Sequence, residues 1–199
     1  MKRLALGLSA SLLLLCAGMA NAAVIKYGAA LTGAAEDPRN ESPASGRTTV
    51  LIDDVTGMMT VNATFSGLLG TTTASHIHCC TTFPFTARAG VATSLPTFPA
   101  FPLGITGASY TETFDLTNLA TYNTAFIDNN GGSVESARLA FLEGLASGRS
   151  YLNIHTTAFP GGEIRGFLVE VPEPGSVALF GLGAVGLAAL GRRRAARAA

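Results

Sequence analysis

The stretch TTVLIDDVTGMMTVNATF, residues 48–65, decides the fold class of this chain. Apolar and polar residues alternate in it from Met59 to Phe65, which is typical of a strand with one buried face. The turn-forming segment 53–57 separates this strand from an apolar, β-branched segment at 48–52. We therefore predict a hairpin of two strands that lies with one face on a hydrophobic core.

Outward from this hairpin, most of the chain favours further strands. The patterns predict strands at residues 24–31, 75–79, 110–116, 151–156 and 163–171, and loops at 36–46 and 81–107. One helix is predicted between an N-cap at Ser133 and a C-cap at Gly148, because apolar residues recur there at helical spacing. The expected architecture is all-β, a sandwich or a Greek-key barrel with one short helix.

The N-terminal residues have the pattern of a secretory signal peptide. Lys2 and Arg3 precede an apolar run at 4–17, and Ala20-Asn21-Ala22 supplies an A-x-A cleavage pattern. The predicted organisation is a signal peptide at 1–22, one domain at 23–171 and a C-terminal segment at 172–199.

The C-terminal segment begins with Pro172, Glu173 and Pro174, continues with an apolar run at 176–191 and ends in an arginine cluster that includes Arg192, Arg193 and Arg194. This pattern predicts a short membrane helix with a basic stop. The segment resembles the PEP-CTERM sorting signal. That resemblance implies cleavage by exosortase, transient anchoring in the inner membrane, and export to the cell surface or extracellular matrix.

Charge and motifs exclude several function classes. Without residues 1–22 and 172–199, seven basic and twelve acidic residues remain, so the domain is acidic. An acidic domain argues against nucleic-acid binding, which requires a basic surface. The sequence has no G-x-S-x-G elbow, no P-loop and no diagnostic carboxylate pair, which favours a non-enzymatic role.

Four segments together resemble the CHRD domain. They are residues 30–33 with Glu36 and Pro38, residues 74–78, residues 148–151, and residues 153–166, which contain Phe-Pro-Gly-Gly-Glu-Ile-Arg-Gly. The resemblance spans nearly the whole of residues 23–171. It implies an immunoglobulin-like β-barrel with a distant likeness to copper/zinc superoxide dismutase.

The three histidines of the chain are candidate metal ligands. His76 and His78 share one face of a predicted strand, and His155 lies on a later strand. If these strands are neighbours, three imidazoles meet, an arrangement that suits zinc or copper. The alternative is that the histidines only form hydrogen bonds between strands. A two-metal dismutase centre needs more histidines than the chain has.

Cys79 and Cys80 are the only cysteines of the predicted exported domain, and three states remain open for them. They form a vicinal disulfide in the oxidising compartment, stay as free buried thiols, or ligate a metal beside His78. Glu163 and Arg165 are predicted on one face of their strand. They form either a structural charge pair or a second layer that orients a metal-bound histidine.

Two functions follow from these patterns. The first is a non-enzymatic binding or structural role at the cell surface, with exopolysaccharide or another matrix component as the partner and no cofactor. The second is a single-metal protein that binds copper or zinc through His76, His78 and His155.

Overall fold

The computed structural model describes residues 24–172 and Gly183. The predicted signal peptide at 1–22 lies outside the described residues, and so does the sorting segment apart from Pro172 and Gly183. Among the described residues, no helix has both the length and the apolar character needed to cross a membrane.

Eight strands form one antiparallel sheet, which curls into a half-barrel. The order across the sheet is β4-β6-β7-β1-β2-β3-β5, and β8 also pairs with β1. The strands are β1 (Val24–Thr32), β2 (Ser45–Asp53), β3 (Met58–Ser66), β4 (Thr72–His78), β5 (Ala108–Asp115), β6 (Tyr151–Thr156), β7 (Ile164–Phe167) and β8 (Val169–Glu170). The helices are α1 (Thr124–Asn129) and α2 (Val134–Ala146), with 3₁₀ turns at Gly33–Ala35 and Leu119–Thr121. The predicted all-β class is confirmed.

The hairpin that decides the fold consists of β2 and β3. Val50 pairs with Val61 and Ile52 with Met59, and all four side chains are buried in the core. The turn begins at Asp53, whose carboxylate accepts hydrogen bonds from the Val55 and Thr56 amides. Alternation along these strands therefore places their apolar residues on one face, as predicted.

The helix predicted after Ser133 is α2. The Ser133 hydroxyl accepts a hydrogen bond from the Ser136 amide at 3.1 Å, which caps the first turn. Ala137, Phe141 and Leu145 recur on one face and are buried against the core. α2 therefore packs its apolar face against the core.

The prediction of one last strand at 163–171 is wrong in one respect, because this segment forms two strands, β7 and β8. Leu168 separates β7 from β8, and its side chain is fully buried while its amide donates to the Ser150 carbonyl at 3.0 Å. The chain pairs with β6 before this break and with β1 after it, so one continuous strand cannot serve both neighbours.

The predicted long loop at 81–107 packs along the edge strand β4. The Ala92 amide donates to the Ile77 carbonyl, and the Phe98 amide donates to the Ser75 carbonyl. Phe98 and Phe101 are buried and pack on Tyr110 of β5. The loop therefore satisfies the free edge of the sheet and reaches over the strand that carries two histidines.

Candidate metal centre

Strand pairing brings the three histidines together. β4 and β6 are antiparallel neighbours, and Ala74 lies opposite His155 while His76 lies opposite Asn153. Because side chains alternate along a strand, His76, His78 and His155 project from the same face. One nitrogen from each ring lies within 4.8 Å of the others. We call these three residues the histidine cluster.

A backbone carbonyl orients each ring of the cluster. His76 Nε2 donates to the Pro96 carbonyl at 2.7 Å, and His78 Nδ1 donates to the Ala89 carbonyl at 2.9 Å. His155 Nδ1 donates to the Pro160 carbonyl at 2.9 Å. Since a carbonyl only accepts hydrogen bonds, these nitrogens carry the hydrogen, and the other nitrogen of each neutral ring keeps a free lone pair.

The other nitrogens are buried without a hydrogen-bond partner in the described part of the chain. They are His76 Nδ1, His78 Nε2 and His155 Nε2. They make up half of the buried side-chain atoms that lack a partner among the described residues. Buried polar groups are nearly always paired, so these three acceptors are the groups of the cluster that a bound ligand would satisfy.

Burial also keeps the rings neutral. It lowers the pKa of His76 and of His78 to about 4, and it lowers the pKa of His155. His76 and His78 are only 5% and 9% exposed. A metal binds the neutral imidazole, so the cluster is in the ligand form at neutral pH.

The donor set fits zinc or copper. Three imidazoles without a thiolate or carboxylate in the cluster are typical of a zinc site with an open position, and imidazole also suits copper. The fit depends on the free lone pairs and on the carbonyls that fix each ring, which is the usual way that a protein orients metal-bound histidines.

An aromatic and a cationic side chain cover the cluster on one side. The Tyr151 ring stacks on His78 with centroids 4.8 Å apart, and the Arg165 guanidinium lies 4.6 Å from the centre of the Tyr151 ring. Arg165 is 3% exposed and donates hydrogen bonds to the Ala35 and Ala87 carbonyls. Tyr151 therefore links the position of Arg165 to that of His78.

A buried carboxylate completes this layer. Glu36 accepts hydrogen bonds from Asn153 Nδ2, which lies opposite His76, and its carboxylate is 3.9 Å from Arg165 Nε. Burial raises the pKa of Glu36 to about 7, although Arg165 lowers it. Glu36 lies in a loop without strand periodicity. Its position in the segment that resembles the CHRD pattern is the one sequence signal that could have identified it.

The structure separates Glu163 from Arg165, which were predicted together on one strand face. β7 begins only at Ile164, so Glu163 lies just before the strand. Its carboxylate accepts hydrogen bonds from Ser42, Thr156 and the amides of residues 69 and 70. None of these partners is a histidine. Burial raises the pKa of Glu163, but the hydrogen bonds outweigh burial and the net pKa is lowered.

Cys79 and Cys80 directly follow His78 in the chain, but their sulfur atoms are not part of the histidine cluster. Their sulfur atoms are within bonding distance as a vicinal disulfide. They pack against Gly144 of α2, where an added Cβ would overlap both sulfurs. Neither sulfur belongs to the group of ligand atoms around the histidines.

Two family models match the chain at the segments in which the sequence motifs lie. A family model for the CHRD domain matches residues 27–168, which is more than half of the chain. The chain belongs to the CHRD-domain family. The histidine cluster, Glu36 and Arg165 all lie within the matched CHRD domain.

A second family model, for the PEP-CTERM protein-sorting motif, matches residues 170–194. This motif marks the CHRD protein for export and for sorting by exosortase at the cell envelope, with membrane association during sorting. Of the motif residues, Pro172 is described, and Glu173, Pro174 and Arg192 to Arg194 lie outside the described residues. No curated protein and no solved structure matches the chain.

Proposed function

We propose that this exported CHRD domain binds one copper or zinc ion through His76, His78 and His155, and that it holds the ion in a non-enzymatic role at the cell surface. The sorting motif supports the location. Exopolysaccharide or another matrix component is the partner that we expect at that location.

The observation that carries the proposal is the set of three buried ring nitrogens with free lone pairs. Leaving one buried acceptor without a partner costs about 1–3 kcal/mol of stability, so three together would destabilise the fold if the histidines had only a structural role. Histidines that only connect strands would use both nitrogens. Here each ring uses one nitrogen for a carbonyl and keeps the other without a partner among the described residues, and one nitrogen of each ring lies within 4.8 Å of the others.

The residues around the cluster have distinct roles in this proposal. The carbonyls of Pro96, Ala89 and Pro160 hold the rings in the correct tautomer. Tyr151 covers the face of His78 and excludes water from it. An ion held by three histidines keeps one position for water or another small ligand. His155 is the least buried of the three rings, so we expect that ligand to enter beside it.

The test is elemental analysis of the full-length exported protein, purified without chelators, followed by titration with copper and zinc. We expect about one ion per chain, and loss of tight binding in His155→Ala and in the triple His76, His78, His155→Ala variant. Thr113→Ala is the matched control, because Thr113 is exposed on the far side of the sheet and should leave binding unchanged. Circular dichroism checks that each variant folds.

Two results would overturn the proposal. One is a folded wild-type protein that binds neither copper nor zinc. The other is a His155→Ala variant that keeps the stoichiometry and affinity of the wild type, since this would place any bound ion elsewhere.

A further inference from the structure

We propose that Cys79 and Cys80 form a thiol-exchange site, and that opening their disulfide displaces His78 and weakens ion binding by the histidine cluster. The second half rests on the proposed function. The first half concerns only the cysteines and a small thiol.

The disulfide directly continues the strand that carries the ligands. Cys79 follows His78, and its amide donates to the Gly90 carbonyl at 3.1 Å. His78 pairs with Val91 across an isolated bridge, and its ring donates to the Ala89 carbonyl. The segment 89–91 therefore holds both the His78 ring and the Cys79 backbone, so a displacement of Cys79 reaches the ring.

The sulfurs have no free space on the side of α2. An added Cβ at Gly144 would overlap both of them, and Cys80 Sγ lies 3.4 Å from the Ala140 carbonyl oxygen. Bonded sulfurs lie about 2 Å apart, whereas two separate thiols need on the order of 3.5 Å. Because the α2 backbone blocks one direction, we expect the backbone of residues 79–80 to take up part of the separation.

A cavity gives a reagent access to the disulfide. It has a volume of about 290 Å³ and is lined by both cysteines, Gly90, Val91, Asn123 and Phe126. Cys79 is buried, while Cys80 is only partly buried. The size of the cavity suits a low-molecular-weight thiol, and Cys80 Sγ is the more accessible atom for attack.

The exchange proceeds in two balanced steps. The thiolate of the small thiol attacks Cys80 Sγ, the bond between the sulfurs breaks, and Cys79 leaves as a thiolate that takes up a proton. A second molecule of the same thiol attacks the mixed disulfide and releases Cys80 as a thiol. The protein disulfide gains two electrons and two protons, and two small thiols become one small disulfide.

The experiment uses the full-length exported protein with reduced glutathione as the small thiol. After exposure and removal of glutathione without oxygen, alkylation and mass spectrometry count the free thiols, and zinc titration measures affinity. We expect no labelled cysteine before treatment and two after it. We expect zinc affinity to fall at least tenfold on reduction and to recover on reoxidation.

A double Cys79→Ser, Cys80→Ser variant separates geometry from sulfur chemistry. This variant has no bond between the side chains at positions 79 and 80 and no thiol that could bind zinc. Its zinc affinity should match that of the reduced protein and should not change when glutathione is added. Circular dichroism checks its fold, and the reduced wild type provides the same comparison without a mutation.

Each contrary outcome has one meaning. Absence of labelling after glutathione overturns the exchange site. Labelling of both cysteines with unchanged or tighter zinc binding overturns the coupling to His78. Absence of both zinc and copper binding in the oxidised protein overturns the proposed function and the coupling with it, while the labelling result still decides whether the exchange site exists.

Discussion

The two ends of the sheet treat their polar residues in opposite ways. We call β2, β3 and β5 the open half. One face of these strands is buried and the other faces water, and the exposed hydroxyls of Thr60 and Thr113 contact each other on the water-facing side. In β4, β6 and β7, the covered half, both faces are largely buried, and loops lie over the polar one. Polar side chains of the covered half must therefore find partners within the protein.

This difference identifies the candidate site. Polar groups of the open half are satisfied by water, so their pattern carries no information about function. In the covered half, Arg165 and Glu36 have protein partners, whereas the three ring nitrogens have none among the described residues. A covered polar face with unsatisfied acceptors is therefore better evidence for a ligand than polarity alone.

Acid is expected to affect the covered half most strongly. In chelator-treated protein, His76 and His78 have a pKa of about 4 when folded, against an ordinary value near 6.5. Their contribution to stability is fully present above about pH 6.5 and is lost as the pH falls toward about 4, on the order of 3 kcal/mol for each histidine. Urea unfolding at several pH values measures this.

Glu36 has the opposite sign. Its pKa is raised to about 7, so its contribution is present below its ordinary pKa and is lost as the pH rises through about 7. In the weakly acidic range, the stability gained from Glu36 offsets roughly the stability lost from one histidine. A triple variant with glutamine at positions 76, 78 and 155 should no longer lose stability as the pH falls from 7 to 5, because only the opposite contribution of Glu36 remains. A wild-type stability that stays constant over this range would contradict the prediction.

Removal of Arg165 should be the next largest effect. Arg165→Met leaves two carbonyls and the Glu36 carboxylate without their cation and removes the contact with the Tyr151 ring. Loss of one partner of a buried charge pair costs about 3–5 kcal/mol. Thr113→Ala in the open half is the control and should cost about 0.5 kcal/mol. Equal losses in denaturant unfolding would remove the distinction between the halves.

Glu163→Gln should have an intermediate effect. The amide that replaces one carboxylate oxygen cannot accept all of the hydrogen bonds from Ser42, Thr156 and the backbone of residues 69 and 70. We expect a loss of about 1–3 kcal/mol in unfolding free energy. Glu41→Gln, at an exposed position in the same loop as Ser42, should change it by less than about 0.5 kcal/mol.

The same variant also tests the geometry of the site. Glu163 does not contact the histidine cluster through any of its hydrogen bonds, so zinc affinity in Glu163→Gln should stay within about twofold of the wild type. A large loss of affinity in a folded variant would show that Glu163 orients the histidines after all.

Tyr151→Phe should have the smallest effect. The ring that stacks on His78 is retained, and only the long hydrogen bonds between the hydroxyl and the Ala89 backbone, at 3.3 and 3.4 Å, are lost. We expect a cost of about 1 kcal/mol or less. Tyr151→Ala is the matched comparison, because it removes the ring as well. If both variants lose equal stability and zinc affinity, the stacking has no role.

The regular part of the fold follows from local patterns. The alternation from Met59 to Phe65 predicts β3, and the cap at Ser133 with its apolar spacing predicts α2, since both depend only on nearby residues. The helix α1 was not predicted because six residues with Phe126 and Ile127 as the buried pair are too few to establish a period. The break at Leu168 depends on two different partner strands, which no local pattern contains.

The site was predictable only in part for the same reason. The H-x-H spacing places His76 and His78 on one face, and the period of β6 aligns His155 with Asn153. Their approach depends on the pairing of β4 with β6, in which Ser75 lies opposite Ile154, 79 residues later in the chain. No local sequence pattern contains such a pairing. The roles of Glu36 and of the three orienting carbonyls come from loops, whose positions are set by the finished sheet.

The short strand β8 has a consequence for how this domain is joined to other segments. It pairs with β1 at Tyr27 and Gly28, and the Val171 amide donates to the Lys26 carbonyl at 2.7 Å. The two ends of the described domain therefore leave the fold side by side. A unit of this kind is portable, because it can be inserted into a longer chain without forcing the flanking segments apart. A circular permutant that joins these ends and opens the chain at the exposed turn residues 54–56 would keep every strand pair.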